Sequence, residues 1–140
     1  EPFLLHYGDV LTDQDLTALC RAHLAHGGLG TLLLHQRPGS NSVVVVEPDF
    51  RVTRLLERPT EAERAGVDSP WVNSGVYLLD PRVLDRIAPR PPQDFPRDVF
   101  PGRVAEGPLY GSPLAGYRCA IDSPDRLARA RDEFPVRYGS

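Results

Sequence analysis

The run Phe3-Leu4-Leu5-His6-Tyr7 carries its apolar weight straight into Gly8 and Asp9, and a second such run, Leu29 to His35, follows a helical stretch. Runs this apolar read as strands buried on both faces, as in the middle of a parallel sheet. Between them, Thr12-Asp13-Gln14-Asp15 fits a capping box with Thr12 as the N-cap. Leu16, Leu19, Cys20, His23 and Leu24 then share one helical face, and Gly27-Gly28 supplies the stop. Strand, helix, strand at this spacing predicts a βαβ crossover with parallel strands and a right-handed connection. An α/β domain follows. Gly27-Gly28-Leu29-Gly30 trails a helix instead of opening one, so it reads as a cap and turn, not a phosphate loop.

The rest of the chain extends this plan. Val43 to Glu47 and Arg51 to Glu57 are β-rich runs at hairpin spacing around Pro48-Asp49-Phe50. Thr60 to Pro70 reads as a polar surface loop. Trp71 to Leu79 is a further strand, interrupted by Gly75 where a ligand or backbone could come close. Asp80-Pro81 opens a short helix through Ile87. Residues 89–92 form a stiff proline connector, and 95–105 is weakly helical. Leu109 to Ser112 and Gly116 to Ile121 are short strands, and Ser123-Pro124 caps a last helix with Leu127, Ala130 and Phe134 on one face.

Composition narrows the function. A net charge of −3 gives no basic footprint for nucleic acid. No run of 18 apolar residues is present to span a membrane. Two cysteines, Cys20 and Cys119, read as buried free thiols of a reducing, cytoplasmic compartment. All 16 basic residues are Arg, so any cationic role falls to guanidinium. The chain has no Met and opens at Glu1 directly before a core-like strand. The reading is one domain over 1–140, the carboxyl-terminal part of a longer polypeptide.

Asp9 at the carboxyl end of its strand stands where open α/β sheets bind ligands, and a carboxylate there can hold Mg²⁺ against nucleotide phosphates. A strand-ending turn would place the same residue. His6, inside the first run, reads as a core histidine or strand-end contact. His23 and His26 lack a third converging metal ligand.

Four motifs in order carry a resemblance over nearly the whole chain: Phe3 to Val10, Glu57-Arg58-Pro59, Val72-Asn73-Ser74-Gly75-Val76-Tyr77, and Gly116-Tyr117 followed by Ser123-Pro124-Asp125. Together they resemble the sugar-phosphate nucleotidyltransferases, and within them the mannose-1-phosphate guanylyltransferase-like branch with its heptose-1-phosphate enzymes. The resemblance implies a Rossmann-like mixed, mainly parallel sheet flanked by helices. It implies joining of a nucleoside triphosphate to a sugar 1-phosphate, with release of pyrophosphate. Asp9 would hold Mg²⁺; Gly8 before it reads as a residue that lets the backbone turn sharply or come close to a ligand. Glu57 would accept hydrogen bonds from sugar hydroxyls. Arg58 would meet the sugar phosphate where the family has Lys, a change that is not neutral. Asn73 would hydrogen-bond the sugar, with Gly75 allowing close approach. Glu57 and Arg58 also read as a solvated strand end, and Asn73-Ser74-Gly75 as a bulge.

Three departures stand out. The family's Gly-x-Gly-Thr-Arg nucleotide loop is absent, as are two or three upstream βαβ units of about 30 residues each. These are expected on a missing segment or a partner chain, and a homo-oligomer is possible. The family's second metal-binding Asp falls on Ala120. Asp122 resembles the Asp of an Asp-Thr-Pro-Glu-Asp ending found in cytidylyltransferases for acidic sugars, and is the candidate second ligand; as a helix-capping neighbour it would look the same. A Gly expected just before Val43 is missing. A non-catalytic sugar-nucleotide-binding subunit and a glycosyltransferase-type domain remain as alternatives.

Overall fold

The computed structural model describes residues 1–87, 94–101 and 107–138. The connector expected over 89–92 and the end of the helix expected over 95–105 lie outside them. The strands are β1 (Phe3–His6), β2 (Val10–Thr12), β3 (Gly30–Gln36), β4 (Ser42–Val46), β5 (Val52–Glu57), β6 (Trp71–Leu79), β7 (Leu109–Pro113) and β8 (Arg118–Ala120). The helices are α1 (Leu16–His26), α2 (Glu61–Arg64) and α3 (Pro124–Tyr138), with a 3₁₀ segment over Pro81–Arg86 and a π turn over Phe95–Val99.

A four-stranded sheet in the order β1-β6-β3-β7 forms the centre. β3 and β7 pair in parallel, while β6 lies antiparallel between β1 and β3. β1, β3 and β7 therefore run the same way. The crossover through α1 does leave β1 and β3 parallel, but separated by β6. Along β3 the side chains alternate. Leu32 and Leu34 join Tyr77, Leu79, Phe100 and Leu109 on one face, where Val44, Val52 and Leu55 close the layer. Leu33 joins Leu19, Val76 and Leu78 beneath α1 on the other.

Several local expectations are corrected. Phe3 to Val10 is not one strand buried on both faces. It breaks at Tyr7-Gly8-Asp9, and β1 sits at the sheet edge with Leu4 43% exposed and His6 also exposed. Val10–Thr12 instead pairs with β8, which takes Thr12 out of the capping position. Asp15 is the N-cap, its carboxylate accepting from the Ala18 N–H at 3.0 Å. On α1 only Leu19 and His23 are buried, and Leu24 is 69% exposed. Gly27 ends the helix in the left-handed conformation, as its sequence suggested (φ 61°). The loop expected over 60–70 contains α2, started by a full capping box between Thr60 and Glu63.

His23 and His26 serve the fold. His23 Nδ1 and His26 Nε2 both lie within hydrogen-bond distance of Thr31 Oγ1, at 3.0 and 2.8 Å, and burial lowers both pKa values. Cys119 is buried and Cys20 half-buried, both as free thiols. Among the described residues, no helix is long and apolar enough to cross a membrane.

Candidate functional site

Short strands at one end of the sheet assemble the site. Because β2 pairs with β8 so that Val10 faces Ala120, the Ile121 N–H reaches the Asp9 carbonyl at 2.7 Å, and Asp122 arrives beside Asp9. On the facing wall, β6 breaks its ladder with β3 at the Leu32/Leu34 register shift, opposite Asn73-Ser74-Gly75. Gly75 takes φ +79°, and its carbonyl accepts from the Tyr7 N–H at 2.9 Å, so the bulge and the β1–β2 turn are locked together. The bulge reading describes Gly75, and the group that comes close to it is Tyr7, whose ring carbons lie 3.0 and 3.1 Å from where a Cβ would stand.

A cavity of about 220 Å³ opens between these elements, and Asp9, Glu57, Asn73, Gly75 and Asp122 all line it. Asn73 is fixed on both ends of its amide: Nδ2 donates to the Tyr77 hydroxyl at 2.6 Å, and Oδ1 accepts from the Gly75 N–H at 2.9 Å. Burial raises the Glu57 pKa, and Asp94 adds to the rise. Ser42 lies close enough to temper that rise without completing a hydrogen bond of good geometry, and Arg58 also opposes it. A carboxyl with its charge so disfavoured gains from accepting hydroxyl donors.

Two expected residues are not on this wall. Gly8 is exposed with open space around its Cα, so no close approach requires a glycine there. Arg58 turns at φ +49°, gives its N–H to the Asn41 carbonyl at 2.6 Å, and stays exposed at the end of β5, off the cavity. For Arg58 the solvated strand-end reading describes its position, because a left-handed residue redirects the chain after Glu57.

Asp122 is on the wall but engaged. Its two carboxylate oxygens accept from Arg126 Nη1 at 2.8 and 2.9 Å, one turn along α3. Among the described residues, no three His, Cys, Asp or Glu side chains gather as a metal cage. A magnesium ion does not require one: it binds through one or two carboxylates and the phosphates of its substrate. Asp9, exposed at the rim, fits that donor set. Asp122 fits it only by sharing its oxygens with Arg126.

The wall also holds residues that sequence reading passed over: His35, Arg37, Ser42, Arg118 and Arg126. His35 Nδ1 lies 2.9 Å from Ser74 Oγ, and burial together with the Arg118 and Arg37 charges lowers its pKa to about 4. Arg118 Nε donates to the Ser74 carbonyl at 3.3 Å. The signal available was a charged side chain inside an otherwise apolar three-residue strand.

The family model for nucleotidyl transferases matches residues 1–115. The chain belongs to the nucleotidyl transferase family. It is similar to mannose-1-phosphate guanyltransferase of Schizosaccharomyces pombe, 34% identical over 127 residues that are 88% of this chain and 33% of that protein. Mannose-1-phosphate guanyltransferase beta-A of Xenopus laevis is 34% identical across 89% of this chain and 34% of its own length. This nucleotidyl transferase chain thus spans about a third of the curated relatives it matches. In fold it resembles a structure described as a glucose-1-phosphate thymidylyltransferase from Bacillus anthracis, with TM-score 0.77 and 17% identity over 94% of this chain and 54% of that one.

Proposed function

We propose that this nucleotidyl transferase chain is the sugar-phosphate-handling part of an enzyme that joins a nucleoside triphosphate to a sugar 1-phosphate, giving an NDP-sugar and pyrophosphate. The names of its relatives favour mannose 1-phosphate and GTP. The observation that carries the reading is the convergence of Asp9, Glu57 and Asn73 on one cavity. That wall pairs hydroxyl-binding groups with a carboxylate suited to a phosphate-bound cation.

In this chemistry the sugar phosphate oxygen attacks the α-phosphorus and pyrophosphate leaves in line. Catalysis is therefore alignment and charge neutralisation. Glu57 accepts from sugar hydroxyls. Asn73, its amide already oriented by Tyr77 and Gly75, fixes the ring's angle. Gly75 makes room for Tyr7 and Val10, which line the same wall. Asp9 would hold Mg²⁺, which when bound supplies neutralisation of phosphate charge; Asp122 would assist by sharing its oxygens between that ion and Arg126.

The test is exchange of labelled pyrophosphate into GTP, dependent on GDP-mannose, using the whole polypeptide that carries this chain. The expected result is exchange that falls roughly a hundredfold or more in Asp9→Asn, with unchanged thermal stability. Hydrolysis or sugar transfer from GDP-mannose with no pyrophosphate exchange would replace this reading with the glycosyltransferase-type one. Ala120 and the Arg126-bound Asp122 favour a second reading, a non-catalytic subunit that keeps the sugar pocket. It predicts GDP-mannose binding without exchange.

A further inference from the structure

A second cavity, of about 310 Å³, adjoins the first and shares Arg37, Arg118 and Arg126 with it; Arg129 lines its far side. Four arginines thus line one recess, and among the described residues no Asp or Glu does. Arg126 and Arg129 reach carboxylates outside it, Asp122 at 2.8 Å and Glu133 at 3.7 Å. Arg37 and Arg118 belong to no ion pair among the described residues.

Arg118 is half-buried at the centre of this group, held through Nε by the Ser74 carbonyl. Among the described residues neither Nη group has a hydrogen-bond partner. The cost of the arrangement is visible in its neighbours. Burial disfavours the Arg118 charge, and Arg37 and Arg126 repel it, against attraction from Cys119 and Asp9. Such a group of like charges is stabilised by an anion, and guanidinium forks match phosphate oxygens bidentately. Glu57 and Asn73 lie on the first cavity and the arginines on the shared wall, so one ligand with hydroxyls at one end and a phosphate at the other fits across both. Arg58 lies on neither.

We propose that Arg118, flanked by Arg37 and Arg126, is the phosphate-binding centre of this chain, taking the phosphate of a phosphorylated sugar directly on guanidinium without a bridging metal. The proposal rests on the sugar-phosphate reading above for the identity of the ligand, but not for the existence of the anion site.

The experiment is a titration with mannose 1-phosphate, inorganic phosphate and mannose in EDTA, followed by the ¹⁵N–¹H signals of the arginine side chains. The expected result is that mannose 1-phosphate binds more tightly than phosphate or mannose and moves the Arg118 Nε signal. Arg118→Gln weakens it by about tenfold or more. Arg37→Gln, at an exposed position where folding is not at stake, weakens it severalfold. Arg58→Gln changes it less than twofold. Binding that requires Mg²⁺, or that is lost in Arg58→Gln and kept in Arg118→Gln and Arg37→Gln, would overturn the proposal. Equal binding of phosphate and mannose 1-phosphate at Arg118 would overturn the sugar phosphate as ligand and uphold the anion site.

Discussion

Gly75→Ala probes the contact on which the cavity wall depends. At φ +79° an alanine pays roughly 1–2 kcal/mol in backbone sterics. A Cβ there would lie 3.0 and 3.1 Å from Tyr7 ring carbons and 3.2 Å from Val10 Cγ2. Tyr7 cannot simply swing away, because its ring packs edge-on against Tyr77 with centroids 5.7 Å apart. Forcing a methyl into such a fit costs about 1–3 kcal/mol. Reduced freedom of the unfolded chain returns about 0.4–1 kcal/mol. The net loss is roughly 2–3 kcal/mol, or about 10 °C in Tm for a chain of this size. Thermal unfolding by circular dichroism measures the first figure. The same substitution in a Tyr7→Leu background isolates the contact, and should cost about 1 kcal/mol less than in the parent. A Gly75→Ala variant within about 0.5 kcal/mol of the parent, or one indifferent to the Tyr7 background, would refute the packing argument.

His35 gives a pH signature. Its pKa is 6.5 when unfolded and about 4 when folded, so between those values the unfolded state binds more protons and stability rises with pH. Stability should hold above pH 6.5 and decline as pH falls toward 4, and His35→Gln should flatten part of that decline in denaturant titrations across the window. Tyr77→Phe keeps the buried ring but leaves Asn73 Nδ2 without its acceptor. Urea unfolding should show a loss of about 1–2 kcal/mol, with weaker sugar binding. Leu33→Ala empties a fully buried site between sheet and α1, and should cost about 2–5 kcal/mol in the same assay. Asp122→Asn breaks only an exposed pair with Arg126, so its Tm should move by no more than about 2 °C.

The apolar runs, the glycine stop after α1, the β4–β5 hairpin and the strand through Gly75 were legible because each depends on neighbours in the chain. Periodicity and left-handed glycine positions are local physics. What misled was burial. Phe3 to Tyr7 has the composition of a central strand, yet it lies at an edge. Leu24 has the spacing of a core residue, yet it faces solvent. Periodicity names a face without naming what covers it. Thr12 likewise lost its cap to a strand partner more than a hundred residues away, at Arg118.

The site divides along the same line. Asp9, Glu57, Asn73 and Gly75 stand in motifs, and the sequence alone marked them as candidates. The chain order could not say that Arg58 would turn off the wall at a positive φ, or that Asp122 would be held by Arg126. Nor could it say that Arg37, Arg118, Arg126 and Arg129 would meet. Those arginines come from the end of β3, from β8 and from α3, and only the sheet's order and the β2–β8 pairing bring them together. Sequence by itself determined the kinds of element and their polarity, because those follow from interactions within a few residues. The tertiary structure decided which charges share one recess, because that depends on distances through space that chain separation does not encode.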